Sequence, residues 1–122
     1  MKIAGAAMAF GLMLGTAAQA QAARAVELHA NTAAQLADMC AANPNQERSD
    51  AAINYCHGFA QGAVDSILHY ENKAFCFPSP TPTRTETLAL FVRWVRADSS
   101  RAQLPAAAGL YRFLRERYPC GK

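Results

Sequence analysis

The stretch Asn-Tyr-Cys-His-Gly-Phe-Ala-Gln-Gly, residues 54–62, decides how the rest of this 122-residue chain is read. Taken alone, Cys56 beside His57 suggests half of a nucleophile and base, or half of a metal or haem site. In its wider context, however, the segment lies inside a long helical pattern. Ile53, Cys56, Ala60, Ala63, Val64, Ile67 and Leu68 recur at steps of three and four, which gives one apolar stripe from about Ser49 to Tyr70. Adjacent residues on a helix diverge by about 100°, so Cys56 and His57 cannot readily share a proton. Gly58 and Gly62 each cost about 1 kcal/mol relative to alanine in a helix interior. Their i, i+4 spacing makes a flat strip on which a neighbouring helix, or a partner protein, is expected to pack.

Working outward, other chemistry also fails on spacing. Covalent haem attachment needs C-x-x-C-H, and the position three before Cys56 is Ile53. No cysteine or histidine pair has the short separation of a structural zinc site, and no C-x-x-C redox motif is present. His57 and His69 are twelve residues apart, too far for one helical face to use both on a metal. The carboxylates Glu47, Asp50, Asp65 and Glu71 sit in polar surroundings with no apolar pocket evident to raise a pKa. There is no phosphate-cradling glycine loop. The expectation is a protein that is not an enzyme and carries no cofactor and no metal.

The four cysteines, Cys40, Cys56, Cys76 and Cys120, are better read as a frame. The chain opens with Lys2, an apolar run from Ile3 to about Leu14, and small residues fitting an A-x-A cleavage site by residue 22. That is the pattern of a secretory signal peptide, too short to span a membrane. Residues 1–22 are therefore expected to be removed, leaving residues 23–122 as one exported domain, periplasmic in a bacterium. No later segment approaches the ~18 consecutive apolar residues of a membrane helix, and an export signal takes the protein away from nucleic acid. An even cysteine count in a small exported domain reads as disulfides, for which four cysteines allow three pairings. An antiparallel hairpin of the first two helices can bring Cys40 to Cys56; Cys76 with Cys120 then ties the chain end to the middle.

Three further helices frame this one. Thr32 and Gln35 have capping-box spacing, and the helix they open ends by Asn43-Pro44. Pro78, Pro80 and Pro82 force an extended crossing over residues 75–84. Thr83 and Glu86 form a second capping box, starting a helix that turns Leu88, Phe91, Val92 and Val95 inward and stops near Asp98. Leu104-Pro105 introduces a last helix with Leu110, Phe113 and Leu114 on its apolar side. No sustained period-two run is present. The fold class is all-α: a small, disulfide-stabilised domain of four helices, or five.

Charge is unevenly placed. Residues 21–83 carry three Lys/Arg against six Asp/Glu, and residues 84–122 carry eight against three. Such asymmetry fits an acidic partner. The exposed crossing and the arginines of the last two long helices make Phe77, Arg84, Arg93, Arg96, Arg112 and Arg115 the candidate partner-binding residues.

The series Cys40, Tyr55-Cys56-x-Gly58-Phe59-x-x-Gly62, Phe75-Cys76-x-Pro78, Leu104-Pro105-Ala106-Ala107 and Tyr118-Pro119-Cys120 resembles the Rap/Tai family of periplasmic immunity proteins. The resemblance runs from about residue 32 to 120. It implies a helical protein that binds and blocks a toxin delivered by the type VI secretion system, a peptidoglycan amidase in the characterised branches, by obstructing its active site. The implied partners are the cognate secreted effector and a second copy in a homodimer. The family often has His-Pro after the third helix, where this chain has Asp98-Ser99. A rival function of another class is a periplasmic acid-stress chaperone that holds unfolded clients; three histidines and nine acids give it limited capacity for a pH switch.

Overall fold

The computed structural model describes residues 28–121. The expected export leader, residues 1–22, lies outside them. Five helices follow in order: α1 Ala33–Cys40, α2 Ser49–Tyr70, α3 Arg84–Arg96, α4 Ser99–Ala102 and α5 Ala106–Arg117. Both expected capping boxes form. Thr32 accepts from the backbone N–H of Gln35, whose side chain returns to the Thr32 N–H, and Thr83 and Glu86 do the same at α3. Each satisfies donors that the first helical turn would otherwise leave unpaired.

The interval between the last two long helices differs from the expectation of a simple stop. Ala97 closes α3, and the next residue, Asp98, has extended backbone and accepts from the N–H of Ser100, so it caps the short α4. Pro105 sits at the N-cap of α5, one position before the first helical residue.

The start of α1 is zipped to the start of α5 by backbone bonds. Ala33 N–H donates to Leu104 C=O at 2.8 Å, and Ala106 N–H donates to Asn31 C=O at 3.0 Å, around an isolated bridge between Thr32 and Pro105. Those bonds force the two helices close together just where both carry small residues. A Cβ built on Gly109 would lie 2.7 Å from the Cβ of Ala33, which is itself fully buried. Gly109 is thus the glycine whose missing side chain the fold requires. Replacing it with alanine should lower the unfolding free energy by about 1–2 kcal/mol, overpacking outweighing the gain in helix propensity; urea denaturation of the mature chain measures this.

The core gathers Leu36 of α1, Phe75 of the crossing, Leu88, Phe91 and Val95 of α3, and Leu110, Phe113 and Leu114 of α5. On α2 only Ser49, Cys56 and Ala60 are buried, so most of its apolar stripe is half covered. The two bridges are Cys40–Cys56 and Cys76–Cys120, with Cα separations of 5.1 and 4.9 Å. The second is reinforced by the Cys76 N–H, which donates to Tyr118 C=O at 2.8 Å.

Candidate partner interface

Cys56 and His57 do not form a reactive pair. Cys56 is fully buried and oxidised in the bridge to Cys40, so it has no thiolate to offer. Among the described residues there is no free cysteine and no group of three or more His, Cys, Asp or Glu placed to hold a metal ion. Three carboxyl groups are displaced from their ordinary range, all downward. Glu86 is lowered by hydrogen bonds from the Thr83 hydroxyl and backbone, Asp98 by those from Ser100, and Glu116 by Arg112 and then the Trp94 N–H. A general acid needs the opposite displacement. These acids cap and cross-link helices; what stability they add is complete above the unfolded carboxyl pKa and is lost as pH falls through their lower folded values.

The expected packing of a helix onto Gly58 and Gly62 is not what the fold does with them. Nothing lies within 4 Å of a Cβ built on either. The strip instead floors an open groove between α2 and α5, walled by Phe59, Ile67, Tyr70 and Tyr111. Tyr70 is 84 % exposed, a large apolar surface facing solvent. Tyr111 is held at the groove's end by donating to Glu71 at 2.8 Å. In sequence, a helical glycine pair reads the same whether it receives a neighbour or faces an empty groove.

The six candidate partner-binding residues fall into three places. Phe77 and Arg84 line one cavity beneath the proline-rich crossing, and Arg93 lines the adjoining depression with Pro78, Pro80 and Arg117. Arg112 and Arg115 lie on the outer side of α5 around Tyr111 and Glu116. Arg96 reaches α1 and pairs with Asp38 at 3.3 Å. The basic excess is therefore partly engaged within the fold. Arg112 holds Glu116 at 2.8 Å, and Arg101, not among the six, stacks over the Trp94 ring at 4.6 Å and donates to the Trp94 carbonyl. Among the described residues Arg84, Arg93, Arg115 and Arg117 make no ion pair, so their charge faces outward uncompensated.

The crossing is held firmly against the rest of the fold. Phe77 stacks edge-on between Phe75 and Tyr118, at centroid distances of 5.3 and 5.0 Å, and the adjacent bridge fixes Cys76. Rigid display of this kind reduces the entropy lost when a partner docks. No helix among the described residues is long and apolar enough to cross a membrane.

No curated protein and no solved structure matches the chain. A family model described as Rap1a immunity proteins matches residues 32–120. That span opens on the Thr32 cap and closes on Cys120, taking in all five helices and both bridges. The chain belongs to the Rap1a immunity protein family.

Proposed function

We propose that this protein is exported to the periplasm and there protects its producer by binding a cell-wall-degrading toxin, a peptidoglycan amidase, and occluding its active site. The observation that carries this reading is the family match across the whole folded domain, from residue 32 to 120. Two disulfides in a domain of this size support an oxidising destination. Inhibition by occlusion requires a rigid scaffold and a complementary surface and no catalysis of its own. The crossing with Phe77, Arg84 and Arg93 supplies the surface, its uncompensated arginines steering an acidic rim on the toxin. The half-covered apolar face of α2 supports a homodimer, with the second copy seated over Gly58 and Gly62.

The test is protection. A susceptible bacterium is made to export a candidate amidase effector, with and without co-expression of the full chain carrying residues 1–22. Survival is expected with the leader and lysis without it. Equal protection by the leaderless chain would contradict a periplasmic site of action. Reversing Arg84 and Arg93 together to glutamate should weaken toxin affinity at least tenfold, read by calorimetry.

A further inference from the structure

The proline-rich crossing does more than expose charge: it roofs a cavity of about 260 Å³ between α2, α3 and α5. Val64, Phe77, Leu88 and Leu114 make its walls apolar. Buried Thr87, whose hydroxyl meets the Tyr118 OH, adds one polar group to the lining; at the rim the Arg84 guanidinium donates to Gln61 Oε1, and Gln61 Nε2 donates to Asp65 at 2.9 Å. Arg84 thus spends one donor on a neutral amide, forms no ion pair among the described residues, and keeps further N–H groups for an incoming acceptor.

Size and polarity together restrict the occupant. Pockets for drug-sized molecules and cofactors run from ~300 to ~1,000 Å³, and this one falls below that range. It has room for one large side chain. In protein interfaces a few such side chains, buried in a pocket near the centre, carry most of the affinity. The single uncompensated cation at the mouth sets the second requirement, a carboxylate next to the anchor.

We propose that this cavity is the socket for one apolar or aromatic anchor of the toxin, with an acidic residue beside it that Arg84 receives. The proposal rests on the immunity reading above and adds the chemistry of the contact. Arg84 aligns the carboxylate as a charge-assisted pair, and Gln61 holds the guanidinium in place from the opposite side. Phe77 contributes one wall, and its edge-on packing against Phe75 and Tyr118 keeps the opening formed.

The probe is 3-phenylpropionate, an aromatic side chain with a carboxylate, set against the neutral 3-phenylpropanamide. Each is titrated into the mature, disulfide-bonded protein and followed by amide chemical shifts. Shifts centred on Val64, Phe77 and Leu88 are expected, with the carboxylate binding at least fivefold more tightly. Arg84→Gln should abolish that preference while leaving the location of the shifts unchanged. Val64→Trp fills the cavity and should abolish both titrations; Val64→Met repeats the test with less bulk if the larger variant misfolds. The same variants are then assayed for inhibition of the effector, where Val64→Trp should lose at least tenfold. Equal binding of the two probes, shifts elsewhere, or full inhibition by a folded Val64→Trp would each overturn the socket. If the wild-type chain fails to inhibit the effector, the immunity reading and the toxin anchor fall together, whereas the probe titration judges the cavity independently.

Discussion

Replacing Cys76 and Cys120 with serine is expected to lower the unfolding free energy by about 4 kcal/mol, the larger effect of the two bridges. The chain-entropy model scales with the loop closed, and this bridge spans 44 residues against 16 for Cys40–Cys56, for which about 3 kcal/mol is expected. The loss falls where the fold has least else to hold it. The crossing has no helix of its own, and it joins the chain end through Cys76 N–H to Tyr118 C=O and the Phe77–Tyr118 contact. A domain of about 100 residues holds roughly 5–15 kcal/mol in all, so reducing both bridges should leave it largely unfolded at 37 °C. Urea denaturation of the variant, with wild type in the oxidised and reduced states as references, measures the effect. A change below about 1 kcal/mol would mean that packing alone fixes the crossing. For function the consequence is direct: the proposed docking surface should lose its shape before the helical core does.

The second large effect is Phe113→Ala. Phe113 is 2 % exposed and meets Phe91 at 5.6 Å, Trp94 at 5.9 Å and Tyr118 at 6.4 Å between ring centroids. Its ring links α3, α5 and the chain end. Truncation removes the burial of a full aromatic side chain and leaves a cavity that rigid neighbours cannot close, for a loss of about 3–5 kcal/mol. Edge-on aromatic contacts add about 0.5–1.5 kcal/mol each beyond the area buried, which puts the expectation at the upper end. In a domain this small the midpoint of thermal unfolding should fall by roughly 15 °C or more, followed by far-ultraviolet circular dichroism. Phe113→Leu retains most of the volume and should lose markedly less. Equal losses from the two variants would show that the ring contacts contribute little.

Much of the fold was legible because its signals are local. A threonine three residues before a glutamine or glutamate needs no distant partner to cap a helix, and Thr32 and Thr83 do so. Proline is excluded from helix interiors, and three in five residues leave no room for a helix between them, so the crossing was readable from Pro78, Pro80 and Pro82. The cysteines were readable through their number and through the hairpin that joins the first two helices. What escaped depends on approach between distant segments. Gly58 and Gly62 looked like the packing glycines because they are paired, yet the close contact belongs to Gly109, which is unpaired and meets Ala33 from 76 residues away. Asp98 looked like the stop of α3, yet α3 is already closed at Ala97 and Asp98 instead caps α4. The periodicity of α2 gave the direction of its apolar stripe but not how much of it the fold would cover. Arginine spacing could not separate the residues that brace Trp94 and Glu116 from those left facing solvent, and only the latter can meet a partner at no cost to the fold.

The proposed inhibition is stoichiometric occlusion by a protein that performs no chemistry. Titrating residues 23–122 into a fixed amount of a candidate amidase effector, with peptidoglycan cleavage as readout, separates occlusion from any chemical inactivation. The prediction is activity that falls linearly to zero at a fixed molar ratio, with intact, active effector recovered after the complex is separated under mild denaturant. Loss of effector activity at far less than one equivalent, or recovery of a covalently altered effector, would contradict it.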